Sequence, residues 1–162
     1  MTERLGDSIS ILNALHGEIT SMFDVLKRNN KEKFSLSKED QDLYILLKST
    51  ASFLLIKVVA FMDEFDNHFK KCDPISEEEK QIIMKIKKTT ALSFETLHKY
   101  DIREYRNAVL VHNLRVKRNA TYVPVFNEDI MKKLTFPDSF LAFEAIANAV
   151  DDIRSEILYH FS

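Results

Sequence analysis

Glycine and proline are nearly missing from this chain of 162 residues: two of the first, three of the second. Sheets joined by tight turns need both residues, so their scarcity argues against such folds and for long helices with short links. A single cysteine, Cys72, excludes an intrachain disulfide framework and suits a reducing cytoplasm. Charge of one sign is not in excess. The net charge of -2 gives no global pull toward nucleic acid or membrane, so any polyanion site must be a local patch. The most apolar run, Phe53 to Met62, carries Lys57 and is too short to span a bilayer. The opening MTERLGDSIS is polar and charged, unlike a signal peptide. These features predict one soluble, cytoplasmic domain over 1–162, large enough for a single core and without a membrane partner.

What is present is helical period. Leu5, Ile9, Leu12, His16, Ile19, Phe23 and Leu26 alternate spacings of four and three, the seam of a first helix over 3–28. His16 interrupts that seam and reads as a partly buried, hydrogen-bonded histidine. Ser37 with Asp40 predicts the N-cap of a second helix ending near Lys71. Its middle (Leu54, Leu55, Ile56, Val58, Val59, Phe61) is apolar nearly all round, as in a helix central to a bundle or at a subunit contact. Cys72-Asp73-Pro74 breaks it. Ser76 and Glu79 form a capping box opening a third helix to about Lys99, with Ile82, Ile86, Phe94, Leu97 and Tyr100 on its buried side.

A fourth helical stretch, Asp101 to His112, holds the densest polar chemistry. Asp101 and Glu104 have capping-box spacing. Ile102, Tyr105, Ala108, Val109 and His112 then share a broad face, with Arg106 roughly 120° around from His112 and Asn107 beyond it. Beyond it, Asn113 to Phe126 lacks helical period and reads as an extended arm or short hairpin turning at Asn119-Ala120, locally basic through Arg115, Lys117 and Arg118. Asn127 caps a short helix through Leu134. Pro137-Asp138 opens the last helix, striped by Phe143, Ile146, Val150, Ile153 and Ile157. The predicted fold is all-α: an up-and-down bundle of four main helices with an inserted short helix and a non-helical arm.

Arginine holds phosphoryl oxygens because its planar fork stays protonated, and histidine moves protons near neutral pH. Arg106 and His112 supply both within one helix. Their angular offset requires either a frayed helix end at His112 or a second copy of the chain completing the site across a two-fold axis. The structural reading of the same residues pairs Arg106 with an acidic side chain such as Glu104 or Asp101, and leaves His112 at a helix C-terminus where the dipole favours it.

The run Tyr105-Arg106-Asn107-Ala108-Val109-Leu110-Val111-His112 resembles the signature of the HEPN superfamily: an arginine, four to six residues, then a histidine, with a polar residue just after the arginine. The abortive-infection branch is the most similar, although Val111 and Asn113 stand where that branch commonly has an alanine and shortly afterwards an acid. The resemblance implies a helical bundle and a metal-independent, cofactor-free endoribonuclease, acting as a homodimer on RNA and leaving a 2′,3′-cyclic phosphate. His112 is then the proton-transfer group, Arg106 the phosphoryl clamp and Asn107 the orienting residue, with Arg103, Arg115, Lys117 and Arg118 guiding the RNA backbone. A toxin or antiviral defence effector with an antitoxin protein as partner fits the branch. The superfamily also holds catalytically silent members, so the other implied role is a bundle that binds a protein, nucleotide or RNA.

Other constellations are weaker. Glu95-Thr96-Leu97-His98 has di-iron spacing but lacks a second such unit, so no metal is expected. Asp63, Asp66 and His68 read as a solvated helix end. Asn119-Ala120-Thr121 matches a glycosylation sequon that a cytoplasmic chain does not use.

Overall fold

A computed structural model of the chain describes residues 3–30, 35, 37–72, 76–106, 115–118, 121–124 and 139–161. The helices are α1 (Glu3–Arg28), α2 (Lys38–Asn67), α3 (Glu77–Thr89), α4 (Ala91–His98), α5 (Ile102–Tyr105) and α6 (Phe140–Phe161), with a 3-10 turn, Phe69–Lys71, after α2. Two short strands, β1 (Arg115–Arg118) and β2 (Thr121–Pro124), lie between α5 and α6 in sequence. The protein is an all-α helical bundle with this hairpin as an appendage.

Local chemistry starts the helices where the caps predict. The Ser37 hydroxyl accepts from the Asp40 amide, and Ser76 does the same for Glu79, each at 3.2 Å. Asp40 also reaches back to accept from the Ser35 amide at 2.8 Å. The third predicted helix is in fact two. Thr90 is buried, leaves helical geometry (φ −89°, ψ 4°) and donates its hydroxyl to the Ile86 carbonyl at 2.7 Å. Thr89 likewise donates to the Lys85 carbonyl at 3.1 Å. Two adjacent side chains competing for the helix's own acceptors bend the backbone there, which apolar periodicity does not register.

Cross-helix pairs define the topology. Ser8 donates to Glu64 (2.6 Å) and Lys57 meets Glu18 (2.6 Å), so α1 and α2 run antiparallel. His16 meets Asp151 (2.8 Å) and Arg154 meets Asn13 (3.1 Å), so α1 and α6 do too. Thr89 to Glu156 (3.0 Å) and Ser93 to Asp152 (3.3 Å) set α3 and α4 antiparallel to α6. The order is up-and-down, as expected, with α1 between α2 and α6. His16 is the partly buried, hydrogen-bonded seam histidine its position predicts, with 15 % of its side chain exposed.

Burial follows the stripes. Leu5, Leu12 and Ile19 of α1 and Ile146, Val150, Ile153 and Ile157 of α6 are buried. An aromatic cluster closes one end: Phe65 stacks on Phe69 at 5.1 Å between ring centroids and tilts against Phe94 at 4.4 Å, while Phe161 meets Phe69 edge-on. Each such side chain, taken out of water, contributes about 1.5–3 kcal/mol. Ile82 and Tyr100, expected on the buried side, are only partly covered, and Ile83 is buried instead.

α2 departs from a central position. All its buried residues lie from Leu54 onward, and they face α1 and the core. Before Leu54 it leaves Tyr44, Ile45, Leu46 and Phe53 exposed. Among the described residues it is the one helix long and apolar enough to cross a membrane by length and composition, because its apolar window (mean hydropathy 1.9) is longer than the Phe53–Met62 run suggests.

The expected hairpin is formed: β1 and β2 are antiparallel, pairing Arg115 with Pro124, Val116 with Val123, Lys117 with Tyr122 and Arg118 with Thr121. The expected turn at Asn119-Ala120 and the short helix from Asn127 to Leu134 lie outside the described residues.

Candidate functional site

α5 begins at Ile102, as its sequence predicts, but Asp101 makes no side-chain cap bond to it. The Asp101–Glu104 capping box is therefore not what starts this helix. Its anchors are apolar and ionic. Ile102 is buried to 1 % exposure. Arg103 of α5 and Arg106 at its C-cap, three residues on, face two carboxylates one turn apart on α2, Asp63 and Asp66.

Arg103 spans both acids, with Nε 3.0 Å from Asp63 Oδ1 and Nη2 2.7 Å from Asp66 Oδ2. Arg106 Nη1 donates to the other Asp63 oxygen, Oδ2, at 3.2 Å. Lys70 Nζ completes the group 2.8 Å from Asp66 Oδ1, and sits 4.8 Å from the ring centroids of both Phe65 and Phe94. Burial alone pushes the Asp66 carboxyl up; hydrogen bonds and charge from Lys70 and Arg103 outweigh it and hold its pKa below the ordinary carboxylate value. Three cations against two carboxylates leave one excess positive charge among these five side chains.

Asp63 and Asp66 are thus not a solvated helix end. They are the floor on which two of the predicted site arginines rest. His68, placed with them by sequence, is exposed at the C-cap of α2. The structure brings Arg103 and Arg106 together. Asn107 and His112 lie outside the described residues. Arg115, Lys117 and Arg118 are three of the four positions of β1. The sequence carried a signal for the ion-pair group that helix-by-helix reading overlooks: Asp-x-x-Asp near the end of one helix and Arg-x-x-Arg in another have matching spacings and opposite sign.

A separate cleft of about 510 Å³ opens between the start of α1 and the end of α2, lined by Arg4, Asp7, Glu64, His68, Lys71 and Cys72 among others. Sequence reading does not anticipate it, since its residues come from both ends of the α1–α2 hairpin. Among the described residues, no three of His, Cys, Asp and Glu gather as metal ligands, Glu95 and His98 included.

A guanidinium pair held by carboxylates at a helix start can clamp two helices. A guanidinium is also a planar donor group of the kind that suits a phosphate. Comparison with protein-family models, with curated proteins and with solved structures finds no match.

Proposed function

We propose that the protein is a metal-independent endoribonuclease of HEPN type, acting in the cytoplasm as a homodimer. The observation that carries this reading is the run Arg106-Asn107 with His112 six residues after the arginine, within an all-α bundle. In this reading the RNA 2′-hydroxyl attacks the adjacent phosphorus. The 5′-oxygen departs and a 2′,3′-cyclic phosphate remains. His112 moves the proton, Arg106 holds the phosphoryl oxygens and Asn107 orients one or the other. The grip of Asp63 on Arg106 supports the reading in one respect, because a clamp whose rotamer is already held loses less freedom on binding phosphate. Arg103, Arg115, Lys117 and Arg118 supply a positive track for the backbone. Toxin or antiviral defence roles, with an antitoxin as partner, belong to this proposal.

The same ion pair favours a second reading, a catalytically silent bundle that binds a protein, nucleotide or RNA. Asp63 competes with a phosphate for Arg106, and a guanidinium already paired serves as a clamp between α5 and α2. Incubating a long RNA in EDTA with wild type, Arg106→Ala and His112→Ala separates the two. Cleavage to cyclic-phosphate ends by wild type, lost in His112→Ala, is expected. Equal cleavage by wild type and His112→Ala removes the histidine from the mechanism, and no cleavage by wild type favours the silent bundle.

A further inference from the structure

Acid is absent from one long stretch of this chain. Between Glu104 and Glu128 there is no aspartate or glutamate, while Arg106, Arg115, Lys117 and Arg118 all fall there. The other 19 of the 23 basic residues share the rest of the chain with all 25 acidic ones. Three of the four cations of the acid-free stretch stand on β1. The hairpin is thus a local positive patch on a chain that is otherwise acidic.

The strand register sorts these positions. Residues directly opposite each other in an antiparallel pair share a face, and so do alternate residues along one strand. Lys117 pairs with Tyr122 and Arg115 with Pro124, so these four positions make one face of the ribbon. Val116 pairs with Val123 and Arg118 with Thr121, and these make the other. The valine face is suited to packing. The Arg115–Lys117 face is not, because neither strand supplies an acid, and burying unpaired cations costs free energy without a return.

We infer that the face holding Arg115, Lys117 and Tyr122 binds single-stranded nucleic acid: Tyr122 stacks an unpaired base while Arg115 and Lys117 meet the phosphates on either side. Positions two apart on a strand are separated by about 7 Å, comparable with the step between phosphates of an extended single strand. Tyr122, directly across from one of these cations, adds a flat ring that a base can cover and that an acidic peptide does not need. A duplex keeps its base faces stacked inside and offers that ring no partner. Arg118 stands on the opposite face and is not part of this inference. The inference deepens the proposed function and rests on it for the class of ligand, but makes no use of His112.

Fluorescence anisotropy with labelled oligoadenylate of about twelve nucleotides, as RNA and as DNA, tests it on the full chain carrying His112→Ala, so that no strand is cut. Both oligonucleotides are expected to bind, since phosphates and base faces are common to the two. Tyr122→Val keeps a strand-forming residue and is expected to weaken binding about tenfold, with the salt dependence unchanged. Tyr122→Phe is expected to bind like the parent. Arg115→Ala and Lys117→Ala are each expected to flatten the slope of log affinity against log salt by about 0.7, and Lys48→Ala, exposed on α2, to leave it as it was. Parental affinity in Tyr122→Val overturns the proposal, as does duplex RNA bound as tightly as the single strands. Polyglutamate that competes equally well assigns the face to an acidic protein and overturns it too, and so does the absence of binding to either oligonucleotide. Binding as described, with no cleavage by the chain that retains His112, keeps this face and ends the nuclease reading. Cleavage that neither Tyr122→Val nor the Arg115→Ala, Lys117→Ala double variant reduces does the reverse.

Discussion

Arg106 and Asp63, 43 residues apart, meet through Nη1 and Oδ2 at 3.2 Å, and the other oxygen of the same carboxylate receives Arg103 at 3.0 Å. One aspartate thereby holds Arg106, within the stretch that resembles a ribonuclease motif, together with Arg103 just before that stretch, and fixes the start of α5 to the end of α2.

Replacing Asp63 with Ala removes that shared acceptor. The group is partly exposed, with 38 % of the Asp63 side chain accessible, so the expected loss is about 1 kcal/mol. Urea denaturation measures it. A double-mutant cycle with Arg103→Ala is expected to return a coupling of several tenths of a kcal/mol, and strict additivity would mean that the pair contributes nothing.

Arg106→Lys keeps the charge and loses the planar fork. Under the nuclease reading, cleavage in EDTA falls on the order of 10²-fold while the melting temperature changes little. A substitution that shifts only the melting temperature marks Arg106 as a clamp between helices.

Asp66 makes stability depend on acid. Its folded pKa is lowered, so below the unfolded value of about 3.9 the unfolded state binds more protons. Its contribution is complete above that value and disappears as pH falls through the lowered folded one. Melting temperatures from pH 5 to pH 2 are expected to fall less steeply in Asp66→Asn than in wild type. Parallel curves would show that this carboxyl is not a source of the acid sensitivity.

Two leucines of α4 test the description of the core. Leu97 is fully buried and Leu92 is 74 % exposed. Leu97→Ala is expected to cost about 2–5 kcal/mol and Leu92→Ala to stay within about 0.5 kcal/mol of wild type. Chemical denaturation of both variants checks the order, and equal effects would misplace α4 on α6.

Ser76→Ala removes a hydroxyl that accepts from the Glu79 amide and is expected to cost about 1 kcal/mol, while Ser76→Asp is expected to restore the cap. Thermal melts of the three proteins decide this, and an Asp variant no better than Ala would mean that the cap does not matter.

Much of the bundle was written locally. Ser37 and Ser76 cap because a hydroxyl reaches an amide three residues on, which needs no knowledge of the rest of the chain. The stripes of α1 and α6 repeat with helical period, and their buried residues follow that repeat. The break at Thr90 escaped the same reasoning because hydroxyl competition for backbone acceptors leaves no apolar signature. The capping box at Asp101 had the right spacing and does not form, since spacing permits a cap without supplying its dihedral angles. Of the candidate site, Arg106, Asn107 and His112 were legible as residue types at a spacing, and the partners of Arg106 were not.

By itself, the sequence determined the helical class, most helix starts and the core stripes, because caps and apolar period act over three or four residues along the chain. Only the tertiary structure decided that Arg103 and Arg106 rest on Asp63 and Asp66, and that Leu46 and Phe53 of α2 stay exposed. Both follow from how α5 and α1 close against α2. That is a matter of which surfaces come together across the bundle, and no local spacing encodes it.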